Sequence, residues 1–218
     1  MSAAPRPAIL IPAAGASARM RGRDKLLEPV RGRALLADRV VAAAAAMAGS
    51  APPAEVSARP ATEIIVTLPP RAMAPRRWAA LSGSRARLVD VPEAREGLAA
   101  SLRAAVAALP AACPGLMILP ADMPDISADD IARLLAGFDG KTILRGAGAD
   151  GCPGHPVLFP ARDFARLAAL RGDLGGRNIL KEDAARVRLV PLPGRHALTD
   201  LDTPEDWAAW RGTRPDQG

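Results

Sequence analysis

The chain has 218 residues, about half of them apolar (49%), which suffices for one sizeable α/β domain with a real core. Its longest apolar stretch, Val40 to Ala48, is too short to span a bilayer, and Met1 to Pro7 lacks the long apolar region of a signal peptide, so a cytoplasmic protein without membrane contact is expected. The net charge of +6 comes from arginine scattered along the chain, with no dense basic run and no tyrosine for base stacking; this argues against nucleic acid and fits attraction of small polyanions such as triphosphates.

Ala8 to Pro12 (AILIP) is a short apolar run ahead of a glycine-containing loop and predicts a buried strand. Ala34 to Ala48 carries strong helix formers with a glycine directly after them, the pattern of a helix with a C-terminal stop. Ser50 to Pro60, rich in proline and serine, reads as a surface loop. Strands are expected at Glu63 to Leu68, Ala86 to Val91 and Leu116 to Leu119, with helices at Pro75 to Leu81 and Leu98 to Leu109 between them. Ser127 to Phe138 opens with a serine N-cap and acidic residues, as a helix dipole favours, and Lys141 to Arg145 reads as a fifth strand. This strict alternation predicts a three-layer α/β/α, Rossmann-like fold with a mostly parallel sheet.

From Gly146 the pattern changes. A glycine-rich loop is expected over Gly146 to Pro156, running into a strand at His155 to Phe159, then a helix over Phe164 to Leu170 and a loop at Arg171 to Gly176. A helix around Asn178 to Ala185, a strand at Val187 to Leu192 and a final helix at Thr203 to Trp210 complete the chain. One domain spanning 1–218 is expected, with a first part near 7–125 and a later part near 126–212 that covers the carboxyl ends of the strands, where ligands bind. Cys113 and Cys152 have neither a CxxC pair nor metal-ligand spacing and are expected as reduced thiols.

Chemistry concentrates in the first loop, Pro12-Ala13-Ala14-Gly15-Ala16-Ser17-Ala18-Arg19-Met20-Arg21-Gly22-Arg23-Asp24-Lys25. Small residues let the backbone approach a ligand, successive N–H groups cradle phosphate oxygens, and arginine and lysine offset triphosphate charge. The glycine spacing matches neither a Walker A loop nor GxGxxG. On spacing alone, a flexible βα loop with solvated arginines is an equal reading. Asp122 follows an apolar strand, where a carboxylate is expensive to bury unless paired or metal-bound, and suits Mg²⁺; the alternative is a capping aspartate before Met123-Pro124. Asp202 is a second metal candidate, although Asp200 to Asp206 also reads as an ordinary acidic helix start. His155, alone before a proline, is open to a structural reading, and Asp173 to one as a turn residue. Trp207 and Trp210 read as packing.

Ala13-Ala14-Gly15-x-Ser17-x-Arg19-Met20 followed by Lys25 resembles the signature loop of the nucleotidyltransferases typified by molybdenum-cofactor guanylyl- and cytidylyltransferases. The resemblance extends through Gly97 to Arg103, Leu119 to Pro124, Gly154 to Phe159, Gly172 to Arg177 and Asp200 to Asp206, six motifs in order over most of the chain. It implies a nucleotide-diphospho-sugar transferase type of fold and a Mg²⁺-dependent transfer of a nucleotidyl group with release of pyrophosphate. It implies that Pro12, Ala13, Ala14, Gly15, Arg19, Lys25, Asp90, Ser101 and Asp122 contact the nucleotide, with Arg19, Lys25 and Asp122 catalytic. Asp122 and Asp202 would hold the metal, and Gly154, His155 and Asp173 would face the acceptor. The Ala13-Ala14-Gly15 start, where the guanylyl branch tends to Ala-Gly-Gly, resembles the cytidylyl branch. CTP and a molybdenum-bound molybdopterin are thus the implied substrates, and a molybdoenzyme of the xanthine dehydrogenase type, or its maturation chaperone, the implied recipient. GTP in place of CTP, another phosphorylated metabolite as acceptor, and a non-catalytic nucleotide or pterin carrier are the alternatives. The sequence departs from the family at Arg21, which precedes Gly22, and by one extra residue before Lys25.

Overall fold

The computed structural model describes residues 6–49, 64–172 and 175–213. The loop expected at Ser50 to Pro60, the strand start at Glu63 and the acceptor residue Asp173 lie outside them. Strand β1 (Ala8–Pro12) sits near the middle of a seven-stranded sheet, between β4 (Ile64–Leu68) and β6 (Gly115–Ile118), both parallel to it. β5 (Arg87–Asp90) extends this side in parallel. On the other side come β8 (Pro153–Pro160), β7 (Ile143–Ala147) and β9 (Val187–Pro191), giving the order β5-β4-β1-β6-β8-β7-β9. The short β2 (Pro29–Val30) and β3 (Arg33–Ala34) form a separate two-stranded hairpin.

Side chains alternate across the sheet and define two core layers. Ile9 and Ile11 of β1, with Val66 and Met117, face the helices α1 (Leu35–Ala48), α4 (Ala128–Ala136) and α7 (Pro204–Gly212). Ala8 and Leu10, with Ile65, Leu116 and Ile118, face α3 (Leu98–Ala108), α5 (Phe164–Ala169) and α6 (Arg177–Glu182). β1 and β4 are covered on both faces, which is why they read as apolar runs, broken in β4 only by the buried Thr67. The three-layer, mostly parallel architecture is therefore as expected.

Two details differ from expectation. The stretch Gly146 to Pro156 is not a loop: β7 runs on to Ala147 and β8 starts at Pro153, leaving a short turn between them. Its glycines serve close backbone approach, since a Cβ on Gly146 would stand 2.3 Å from the His155 carbonyl oxygen. β8 also inserts antiparallel between β6 and β7. That reversal brings the start of β8 to the rim where the parallel strands end, so Gly154 and His155 join the loops that follow β1 and β6. Cys113 is buried and Cys152 exposed, both unbridged.

Candidate active site

The rim at the strand ends opens into a cleft of about 820 Å³. Pro12, Ala14, Gly15, Arg19, Lys25, Ser101, Asp122, Gly154, His155 and Asp202 all line it. The sequence-predicted residues thus converge on one cavity from five separate stretches of chain. Ala13 is buried just behind the loop. Asp90 does not reach the cleft wall: it ends β5, exposed, in register with Leu68.

Lys25 is the centre of the arrangement. Its Nζ donates to Asp122 Oδ2 at 2.5 Å and to Asp202 Oδ1 at 2.6 Å, and Arg19 pairs with the other Asp202 oxygen at 2.7 Å. Burial works against the Lys25 charge, but the Asp122 and Asp202 carboxylates outweigh it, and its pKa is raised above the ordinary lysine value. The two carboxylates face each other across one ammonium group.

Each carboxylate is placed by its neighbours. Asp122 begins a segment gripped from below: the fully buried Arg39 donates to the carbonyls of Met123 and Ile126, Arg31 to that of Pro124, and Trp210 Nε1 to Asp125. Asp122 itself accepts the Leu201 amide through its carbonyl at 3.0 Å. Asp202 lies just before α7, where Thr203 and Asp206 form a reciprocal capping box. Asp206 also accepts the Asp202 amide at 3.1 Å, so capping falls to Asp206 and leaves the Asp202 side chain to Lys25. The acidic helix start and the cleft carboxylate coexist in one motif. Trp207 and Trp210 are buried and meet edge to face at 6.0 Å, as packing requires.

The departures after Met20 point out of the cleft. Arg21 and Gly22 both have positive φ, at 52° and 86°, and this turn takes up the added length. Arg21 pairs with Glu205 and Arg23 with Glu28. Arg19 and Lys25 alone of the loop's cations face Asp202.

The opposite wall holds residues that the sequence did not single out. Arg145, in the middle of β7, and Arg177, at the start of α6, line the cleft beside His155. Burial and then the Arg177 charge press the Arg145 pKa downward, and among the described residues no carboxylate pairs with either arginine. His155 is held below its ordinary pKa by burial and then by Arg145, and its Nδ1 is buried without a hydrogen-bond partner among the described residues. Gly154 is fixed by packing, since a Cβ there would stand 2.0 Å from the Ala197 carbonyl oxygen. Arg77 was also missed. A faint signal existed: Ala74, Arg77, Trp78 and Leu81 share helical spacing, which puts Arg77 on the inward face of α2 (Pro75–Ala80).

A cationic small-residue loop after β1, set against one carboxylate beyond the end of β6 and another ahead of α7, is the construction of a nucleotidyltransferase. The MobA-like NTP transferase domain matches residues 9–187, and the chain belongs to that family. The fold is Rossmann-like, of the nucleotide-diphospho-sugar transferase type. Rv0371c from Mycobacterium tuberculosis H37Rv is 29% identical, with a TM-score of 0.74 and 94% of this chain aligned to 97% of that one. Its complex with manganese aligns 94% to 97% at 27% identity and a TM-score of 0.71. A nucleotidyl transferase from Methanothermobacter thermautotroptrophicus, Mth528, shares the fold at 23% identity and a TM-score of 0.74, over 95% of this chain and 97% of its own. No match was found among curated proteins. No helix of the described residues is long and apolar enough to cross a membrane.

Proposed function

We propose that the chain transfers CMP from CTP to molybdenum-bound molybdopterin, forming the cytosine dinucleotide and releasing pyrophosphate, for delivery to a molybdoenzyme of the xanthine dehydrogenase type or its maturation chaperone. The observation that carries the transfer is the Lys25 ammonium held between Asp122 and Asp202 at the mouth of the cleft. Nucleotidyl transfer is a problem of charge: an anionic acceptor must reach an anionic α-phosphate, and pyrophosphate must leave. Lys25 and Arg19 are placed to bind triphosphate oxygens, and the small residues Pro12 to Gly15 let the backbone close on them.

The donor set fits a divalent ion. Asp122 and Asp202 offer hard carboxylate oxygens toward a shared point, and their field already stabilises a cation there, the raised Lys25. Among the described residues no group of three or more His, Cys, Asp or Glu could hold a metal. Two protein carboxylates suit Mg²⁺, whose shell is otherwise completed by water and phosphate oxygens. Asp122 and Asp202 would hold it, and when bound it supplies positive charge to the triphosphate. That Rv0371c forms a complex with manganese supports the use of a divalent ion.

On the acceptor side, Arg145 and Arg177 provide the charge that a phosphate-bearing acceptor needs, beside a neutral His155 and Gly154. Asp173, in the Gly172 to Arg177 motif, is assigned to the acceptor by family resemblance. The choice of CTP rests on the Ala13-Ala14-Gly15 sequence and the cytidylyl-like motifs. The test is pyrophosphate release with Mg²⁺ and a molybdopterin acceptor, comparing CTP, GTP, ATP and UTP. CTP should lead by at least about tenfold; an equal or greater rate with GTP overturns the base assignment, and no release with any triphosphate overturns the activity.

A further inference from the structure

Arg77 sits on α2, in a different βα unit from the nucleotide loop, and only 4% of its side chain is exposed. Every hydrogen bond of its guanidinium ends on the segment between Ala13 and Asp24. One nitrogen donates to the carbonyls of Ala13 at 2.6 Å and Gly15 at 2.7 Å. The others reach the Asp24 carboxylate at 2.6 and 2.9 Å and the Ser17 hydroxyl at 3.1 Å. The same Asp24 carboxylate accepts the Leu26 amide and the Ser17 hydroxyl, so the turn that carries Lys25 is tied to the same knot.

A trans peptide is planar, so its C=O and N–H point in opposite directions. Drawing the Ala13 and Gly15 carbonyls toward Arg77 therefore turns the following amides, those of Ala14 and Ala16, the other way. Ala14 and Ala16 line the cleft that holds Lys25 and Asp122 and also a second cavity on the far side of the loop, and Arg77 lines only that second one. Among the described residues neither amide donates to a protein acceptor. Ala13, by contrast, spends its amide on the Thr67 carbonyl at 2.9 Å. Two free donors are thus turned away from Arg77 because two carbonyls are held toward it.

We infer that Arg77 is a positioning residue for nucleotide binding: without touching the ligand, it presets the Ala14 and Ala16 amides and the Lys25 turn to receive phosphate oxygens. A planar fork is needed, because one group must span two carbonyls and a carboxylate at once. Lysine can keep the charge opposite Asp24 but cannot hold all three. The inference rests on the loop being the triphosphate seat, and the experiment separates the two.

CTP affinity with Mg²⁺ is measured by calorimetry for the wild type, R77K and R186A, together with acceptor KM and melting temperature. R186A loosens the Asp163–Arg186–Asp183 network, remote from the cleft, and controls for general destabilisation. R77K should weaken CTP by about tenfold or more and leave acceptor KM within twofold, while R186A leaves CTP affinity unchanged. In the free protein, the amide NMR signals of Ala14 and Ala16 should show exchange broadening in R77K only. CTP affinity within twofold of wild type in R77K, or equal losses in R77K and R186A, overturns the inference. Should R77K not fold, Ser17→Ala removes one contact and should weaken CTP two- to fivefold; no change overturns it. A wild type that binds no triphosphate, with broadening still confined to R77K, sinks the loop's assignment and leaves the brace standing.

Discussion

On the wall of the cleft built by the β1 loop and the tip of β6, every cation meets a carboxylate: Lys25 bridges Asp122 and Asp202, and Arg19 shares Asp202. On the facing wall, Arg145 and Arg177 stand together, and the described residues place no carboxylate against them. The first wall is a balanced ionic cluster that holds its geometry without a ligand. The second keeps a standing positive charge, on the half-buried Arg145 and the exposed Arg177, that an arriving anion can offset. The two walls therefore suit different partners: the first a metal and triphosphate that exchange places with existing ion pairs, the second an anionic group that finds no competitor.

Removing the carboxylate of Asp122 should break the first wall most severely. Asp122→Ala is expected to lower pyrophosphate release by about 10²–10³ or more, with the melting temperature nearly unchanged because Lys25 retains Asp202. Turnover within tenfold of wild type would remove Asp122 from the reaction. The second wall should respond differently. Arg145→Ala and Arg177→Ala should each raise acceptor KM by about tenfold and leave CTP affinity within twofold, the loss of one charged hydrogen bond. If either variant weakened CTP and acceptor equally, the division between the walls would be wrong.

How much of this was readable from the sequence follows from how local each signal is. The β1 strand, its small-residue loop, Lys25 and Asp122 are each announced within a few residues, by an apolar run that ends in special chemistry. Asp202 was half legible, because the acidic start of α7 masks which of its carboxylates caps the helix and which faces the cleft. Arg145 was silent and Arg177 appeared only as the last residue of a motif, without a role: in a chain with 29 lysines and arginines, one more arginine carries no spacing signal, and only the antiparallel insertion of β8 brings that wall together. The same long-range pairing turned an expected loop at Gly146 to Pro156 into a hairpin, since glycine there answers the approach of a distant backbone rather than a local turn. Asp90 was rightly placed at the end of a strand, but β5 is the edge strand of the sheet and Asp90 is not among the residues that line the cleft.

The second wall also carries a pH signature through His155. Burial and Arg145 hold its pKa below the ordinary 6.5, so the unfolded chain binds a proton more readily than the folded one. The stabilisation from the neutral ring is therefore complete above pH 6.5 and is lost as the pH falls below it. Melting temperature measured from pH 7.5 to 5 should decline in the wild type, and His155→Gln should flatten that decline; parallel curves would show that His155 is not the titrating group.

The smallest effect is expected where the loop departs from its family. Arg21 sits at a left-handed turn with its side chain largely exposed and paired only with the equally exposed Glu205. An exposed pair of this kind contributes little, because solvent and salt screen it and two long side chains must be ordered to form it. Arg21→Ala should leave CTP affinity within about twofold and turnover unchanged. The substitution thereby separates two explanations of the loop's charge. If all its cations acted together as a diffuse positive field, Arg21 would weigh nearly as much as Arg19, and its loss would weaken CTP several-fold, more so at low salt. If only the cations that share a carboxylate in the cleft take part, the titration curves of wild type and Arg21→Ala should overlay at every ionic strength, and Arg19→Ala alone should shift them.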